Sequence, residues 1–454
     1  MADDTTASRF QDVPLSTDPA LAWPAFVDEA DTQLFSLLYQ FEQSQWWRPA
    51  DLLARQLAQA RIIAAYAREF VPAYAQLPSW VRQQTAPDLE RWQSLPILTR
   101  EAVQQAGDAM FATSVPEVQR PLQRVSTSGS TGMPVTLAST TITRLFFRAL
   151  NVRTHLWHLR DLGGTFCHIR YQRDAGNLDR PRWSDVYPAG SSHGLDVFTD
   201  IDQQLRWLHQ RQPAVLLTYP SNLDLLLGDA PSFNVLPDSL QQIRTLGEAV
   251  SVELRDKCLA ATGLELVDQY SSMELGLIAT QCPQHRHYHV QAENVFVEIL
   301  DESGRPCRPG ETGQVVVTDL HNLASPLLRY APGDLAVAGE SCDCGRGLPV
   351  IREILGRVRG TMVLRDGTRR WPRGYSSLTR VGAIRQLQIE QRTLDSLLIR
   401  LVVSRALTKD ESATLVERVH GIFGDYFTVE LQQVESIPRQ ANGKFRDFIC
   451  AVDP

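Results

Sequence analysis

Residues 120–150 read RPLQRVSTSGSTGMPVTLASTTITRLFFRAL, and the centre of that stretch, STSGSTGMP from Ser126 to Pro134, decides the fold. Before it, RPLQRVS reads as a short strand running into a loop; after it, TLASTTITRLFFRALNVRTHLWHL reads as a strand passing into a helix. Ser126–Gly132 consists of hydroxyl residues and two glycines. Glycine permits positive φ and close backbone approach, so such a loop can wrap a polyphosphate, and Ser and Thr add hydroxyl donors. It is not the nucleoside-triphosphatase loop. No lysine follows the second glycine, and GxxxxGK[ST] occurs nowhere in the chain.

Upstream, the first 100 residues read as helical, with apolar positions three and four apart through DLLARQLAQARIIAAYAREF and a Pro-punctuated turn at VPAYAQLPSW. WQSLPILTREAVQQ follows, with Thr99 as N-cap two residues before Glu101. Downstream, helices alternate with short apolar strands. QQLRWLHQRQPAVLLTYP is helix into buried strand, IRTLGEAV and GLELVDQYSS are strand-to-loop junctions, and SVELRDKCLAATG between them is helical. This alternation predicts an α/β body with largely parallel sheets. From about residue 283 to 350 the texture becomes β-rich (HYHVQAENVFVEILDESG, a turn at DESGRPCRPGETG, then QVVVTDL). A small α+β segment closes the chain. IRQLQIEQRT, LLIRLVVSR and YFTVELQQVE read as its strands and SATLVERVHGIFGDY as its amphipathic helix. The boundary is placed at Gly356–Gly360, giving domains 1–356 and 357–454.

The 454 residues carry 45 Lys/Arg against 52 Asp/Glu, a formal charge of −7, and only three of the cations are lysines: Lys257, Lys409 and Lys444. At roughly 100–200 residues per domain the length predicts two to four domains with ample core. From Arg357 onward 16 Lys/Arg face 11 Asp/Glu, so a cationic C-terminal piece follows an acidic body. No strongly basic domain or cluster speaks for nucleic acid. No apolar run reaches the roughly 18 residues of a membrane span, and the start, MADDTTASRF, is unlike an export signal. The expectation is a cytoplasmic protein without membrane or nucleic-acid partners. Seven cysteines, an odd number in a long chain, argue against a disulfide framework, and thiols at short spacing suggest metal. Cys342 and Cys344 form a CxC. Cys282 is followed by His285, His287 and His289, three histidines competing for one ligand place. Zinc in structural sites takes four such ligands in a tetrahedron.

Several further junctions offer chemistry. In DQYSSME a strand ends at Tyr270, whose face can stack on a base, and Glu274 follows as a hard carboxylate able to hold Mg2+. LGEAV presents Gly247 and Glu248 at a strand end, and Asp334 follows the Pro-Gly turn of YAPGD. PRQANGKFR places Lys444 in a turn between a strand and the C-terminus.

Taken in order, AREFVPAYA, LPILTREAV, STSGSTGMPV, TYPSNL, LGEAV, DQYSSME, LLRYAPGDL, EILGRVRG and PRQANGKFR resemble the adenylate-forming superfamily of acyl-CoA synthetases, luciferases and adenylation domains. The phenylacetate–CoA ligase branch is the nearest likeness. The resemblance implies ATP-dependent activation of a small carboxylic acid, aryl or arylacetic, to an acyl-adenylate with loss of pyrophosphate. Transfer to a thiol follows, coenzyme A or the phosphopantetheine of a carrier protein in trans. It implies a nucleotide site formed by Ser126, Thr127, Ser128, Gly129, Ser130, Thr131, Gly132, Gly247, Glu248, Tyr270, Glu274, Asp334, Arg357 and Lys444. Glu274 would hold Mg2+, and Lys444 would be the principal catalytic cation, with Glu274 beside it. Tyr219, His168, Ser191 and Gly247 would line the acyl pocket. The branch places a Cys, a His seven residues on, then a CxC, which selects Cys282, His289, Cys342 and Cys344 for a structural Zn2+. A homodimer is compatible with this reading.

The sequence departs from the family at Val135 (often Lys), Ser271 (usually Gly), Met273 (usually Thr or Ser) and Arg359 (commonly Asp or Lys). The departures at Ser271, Met273 and Arg359 motivate one rival, a non-catalytic zinc-containing interaction or nucleic-acid-binding protein; acyl transfer to an amine and adenylyl transfer to a cofactor hydroxyl are the other two.

Overall fold

The computed structural model describes residues 14–17, 20, 24–127, 134–172, 178–184, 186–228, 235–357, 361–372 and 374–452. By contact density the chain forms two compact units. The first comprises Met1–Gly164, Arg180–Ser192 and Gln269–Ile354; the second comprises Thr165–Asp179, His193–Asp268 and Leu355–Pro454. No described helix is long and apolar enough to cross a membrane.

In the first unit, the helix Pro49–Phe70 starts with Pro at its first position, where a missing N–H costs nothing. It buries Leu52, Gln56, Leu57, Ala60, Ile63, Ala64 and Ala67 along one stripe. Leu57, Ala60, Ile63, Ala64 and Ala67 of that stripe pack into a core with Trp92, Val295, Phe296, Val315, Val317 and Tyr330. Gln56 escapes the cost of an unpaired buried amide by donating to the carbonyls of Ala292 and Val295. The β-rich stretch pairs largely antiparallel: Gly276–Gln281 with Tyr288–Val290, Tyr288–Val290 with Val350–Arg357, and Val295–Leu300 with Thr312–Asp319. Gln123–Ser126 and Thr136–Ser139 pair with each other, Ser126 opposite Thr136. The two strands that flank the Ser/Gly stretch in the sequence are therefore partners in one antiparallel pair.

The second unit supplies parallel strands. Phe166–Arg170 pairs with Val215–Thr218, which pairs with Gln242–Leu246, all in one direction. Helices Ile201–Arg211, Pro220–Leu227 and Val252–Thr262 alternate with them. Leu208, Leu223, Leu226 and Leu254 pack with Ile169, Leu216 and Ile243. The C-terminal part has its own core on a four-stranded sheet, in the order Thr428–Gln433, Ser396–Val403, Ile384–Thr393, Phe448–Cys450. The helix Lys409–Phe423 covers it with Leu415, Val419 and Phe423. The fold is α/β, with parallel strands in the body and a small α+β C-terminal domain. The last strand, Phe448–Cys450, is an addition to the sequence reading, which ends regular structure before Lys444. Three residues show no alternation, and only pairing with Ile389–Gln391 makes them a strand.

Candidate active site and metal-ligating cluster

In the first unit, Thr99 accepts from the amide of Ala102 and so caps the helix Arg100–Ala106, which sets Arg100 at its first position. The Arg100 side chain is buried. Its Nη1 lies 2.5 Å from Glu274 Oε1, and its Nη2 donates to Thr127 Oγ1 at 2.7 Å. Thr127 Oγ1 also accepts from the amide of Val135. One guanidinium thus ties the acidic end of DQYSSME to the entrance of the Ser/Gly loop. Ser126 Oγ meets Thr136 Oγ1 at 3.2 Å across the strand pair. Ser128, Gly129, Ser130, Thr131 and Gly132 lie outside the described residues. Arg100 was not picked out from the sequence, where it is one of 42 arginines. Its only local signal is its place after the Thr99 cap.

Tyr270 ends the run of buried residues in the strand Leu266–Ser272 and donates from its hydroxyl to Asp334 Oδ2 at 2.6 Å. Both side chains are buried, and the hydrogen bond joins two residues of the expected nucleotide site, the base-stacking aromatic and Asp334. Met273 points outward, 62% exposed, while Glu274 beside it is buried against Arg100. Ser191 immediately precedes the strand Ser192–Asp196. Arg357 is the last residue of Val350–Arg357, and Arg359 and Gly360 lie outside the described residues.

The thiol and imidazole side chains expected to hold zinc also meet in this unit. One donor atom each from Cys282, His289, Cys342 and Cys344 falls within 4.8 Å of every other. Cys344 Sγ is 3.3 Å from His289 Nε2, and Cys282 Sγ is 3.9 Å from Cys342 Sγ. A tetrahedron with Zn–S bonds of about 2.3 Å has edges of about 3.8 Å. His289 is fully buried against Trp157, whereas His285 pairs outward with Asp343 at 2.5 Å.

In the second unit, Tyr219 follows the strand Val215–Thr218 and Gly247 follows Gln242–Leu246, at the carboxyl ends of parallel strands, where α/β sheets bind ligands. Lys444 reaches the same edge. A Cβ placed on Gly247 would lie 3.2 Å from Lys444 Cε, 3.3 Å from its Nζ and 3.5 Å from Tyr219 Cε1. Gly247 also has φ of 80°, so glycine there serves both conformation and access. On the other side of the lysine, Gly443 (φ 75°) lets its loop approach closely. A Cβ there would lie 2.6 Å from Val197 Cγ1.

Glu248 is half-buried, and desolvation raises its pKa against the opposing pull of amide and hydroxyl donors and of Arg439. Its Oε1 accepts from the amide of Phe445 at 2.7 Å and from Ser221 Oγ at 3.1 Å; its Oε2 accepts from the amide of Ser221 at 2.9 Å. Burial likewise pushes the Tyr219 phenol up. His168, on Phe166–Arg170, packs against Gly194, where a Cβ would come 2.4 Å from the ring.

Comparison with known proteins follows the same lines. Residues 376–450 match the CapK C-terminal domain. A phenylacetate-coenzyme A ligase of Thermus thermophilus is 28% identical over 171 residues, which are 36% of this chain and 38% of that protein. The chain therefore matches about two fifths of the length of that curated relative. Among solved structures, 2-hydroxyisobutyryl-CoA ligase in the postadenylation state with R3-HIB-AMP gives a TM-score of 0.71 at 19% identity, covering 90% of this chain and 91% of that one. The same ligase with 2-HIB-AMP and CoA in the thioesterification state gives 0.57 at 20% identity, with 90% and 91% covered. The homologues and structural neighbours of this chain are CoA ligases of the adenylate-forming superfamily, and its α/β body with a small C-terminal domain is the fold of that superfamily.

Proposed function

We propose that this chain is an AMP-forming acid–thiol ligase. A carboxylate oxygen attacks the α-phosphorus of ATP, the bond to the bridging oxygen breaks, and pyrophosphate leaves. In the second half a thiol attacks the acyl carbonyl of the bound adenylate and AMP leaves. The observation that carries this reading is the Lys444 ammonium lying over Gly247 beside Tyr219, at the carboxyl ends of parallel strands. Two anions must meet in the first step, and a point cation at that edge neutralises charge as it develops in the in-line transition state. No enzyme nucleophile is needed.

The other groups fit supporting tasks. The Ser126–Gly132 loop supplies amide and hydroxyl donors for phosphates, and Arg100 fixes the Thr127 end of it. Glu274 would hold Mg2+, which when bound neutralises phosphate charge. Arg100 keeps that buried carboxylate paired. Tyr270 and Asp334 would receive adenine and ribose; Arg357 and Lys444 would reach ribose and phosphate. Tyr219, His168, Ser191 and Gly247 would line the acyl pocket, whose aromatic and imidazole rings favour an aryl or arylacetic acid. Coenzyme A is the favoured acceptor, with a carrier-protein phosphopantetheine as the alternative outcome. Cys282, His289, Cys342 and Cys344 would hold a structural Zn2+, since four protein ligands leave no open position.

The test is pyrophosphate release over a panel of aryl, arylacetic and aliphatic acids, with hydroxylamine trapping of the adenylate and intact-mass detection of the thioester. Release that depends on acid and vanishes in Lys444→Ala supports the proposal. No ATP turnover with any acid overturns it.

A further inference from the structure

We propose that Arg439 and Glu248 are positioning residues that pin the backbone on both sides of Lys444, so that its ammonium is held at the strand edge for acyl-adenylate formation. The role rests on the carboxylate-activating function proposed above. The turn is first closed by its own atoms. The amide of Gln440 donates to the Lys444 carbonyl, the amide of Gly443 to the Gln440 carbonyl, and the amide of Lys444 to Asn442 Oδ1. These bonds shape the turn but leave it unanchored.

The anchors come from Arg439 and Glu248. Arg439 Nη1 donates to the carbonyl of Gly443, the residue before Lys444, at 3.1 Å, and to Ser221 Oγ at 2.7 Å. Its Nη2 lies 3.4 Å from Asn222 Oδ1. Asn222 is itself held by donating to Thr218 Oγ1 and Gln204 Oε1. On the far side, Glu248 accepts from the amide of Phe445, the residue after Lys444, and from both the amide and hydroxyl of Ser221. The Ser221 hydroxyl accepts from Arg439 and donates to Glu248, so it is the shared post. The family likeness assigns Glu248 to the nucleotide site, yet both of its oxygens are taken by the turn and its post. A carboxylate and a guanidinium bracket one lysine through the main chain.

Such an arrangement matters only when Lys444 is needed. Misplacing a catalytic group by about 1 Å costs about 100-fold. The half-reactions can be measured apart, using the acid that gives the fastest pyrophosphate release. In Arg439→Met and Glu248→Gln we expect single-turnover adenylate formation to fall about 10- to 100-fold. Thioester formation from the presynthesised acyl-adenylate and coenzyme A should stay within about 3-fold of the unaltered protein, a split that mere loss of structure would not give. Equal losses in both halves, or no loss in the first, overturn the proposal. Hydrogen exchange at the Phe445 amide of the full-length chain reads the same contact without turnover. Protection should drop in both variants and persist in Lys444→Ala; unchanged protection in Glu248→Gln and Arg439→Met overturns the proposal. Should the unaltered protein release no pyrophosphate, the ligase reading fails and the exchange experiment still decides whether the latch exists.

Discussion

Lys444 is one of three lysines among 45 cations, and its ammonium lies over Gly247. A guanidinium is planar and larger, and the space above Gly247 is already filled to van der Waals contact by Cε and Nζ. Lys444→Arg should therefore fail to rescue the chemistry. We expect acid-dependent exchange of pyrophosphate into ATP to fall by about 100-fold, close to Lys444→Ala; exchange within about 3-fold of the unaltered protein would show that charge alone suffices. Lys444 was conspicuous in the sequence because lysine is rare here and its motif is distinctive. Arg100 was not, because arginine is common and its partner Glu274 lies 174 residues away. Arg100→Met should destabilise the chain by about 3 kcal/mol, since it strands a buried carboxylate. Adding Glu274→Gln should recover part of that loss in urea midpoints.

Among the elements, the helix Lys409–Phe423 was legible as SATLVERVHGIFGDY, but its start lies earlier than that stretch because Thr408 caps it. Thr408 Oγ1 accepts from the amide of Glu411, and the Glu411 carboxylate returns to the amide of Thr408, satisfying two end donors reciprocally. Thr408→Ala should cost about 1 kcal/mol, read as a lowered denaturation midpoint. The histidine of the candidate zinc cluster was a harder problem for local reading. His285, His287 and His289 recur at every second residue, so spacing alone leaves them equivalent. Long-range packing separates them: His289 is fully buried with its Nε2 at Cys344, and His287 is not. Cys342→Ser or His289→Asn should lower the bound zinc per chain and the melting temperature together, and His287→Asn should change neither. Zinc content unchanged in Cys342→Ser would refute the ligand set. The antiparallel pair of Gln123–Ser126 and Thr136–Ser139 likewise needed the structure, since its two strands were visible but their mutual pairing was not.

At the scale of the whole molecule, the formal charge of −7 describes stability against pH poorly, because buried groups shift in opposite directions. Asp319 is raised to about 6 by burial, in spite of donors from the amides of His321 and Asn322. His321, stacked on Phe146 with its Nε2 at the Glu293 carbonyl, is lowered to about 4 by burial, and the nearby Glu293 carboxylate, itself paired with Arg153, pulls the other way. Between the ordinary carboxylate value and about 6, the folded chain keeps a proton on Asp319 that the unfolded chain has released, so this group lowers stability as pH rises. Between about 4 and the ordinary imidazole value, the unfolded chain binds a proton at His321 that the folded chain does not, so this group raises stability with pH. Each spans about two units, worth at most about 3 kcal/mol, and over pH 4 to 6 they nearly cancel. Removing either one should expose the other. Relative to the unaltered protein, Asp319→Asn should gain stability as pH rises from 4.5 to 6, and His321→Gln should lose it, while the remaining groups drop out of each difference. Urea midpoints at pH 4.5, 5.2 and 6.0 measure both slopes. Differences of the same sign in the two variants would show that burial does not hold these groups in the states described, and with them the account of the Asp319–His321 turn would fall.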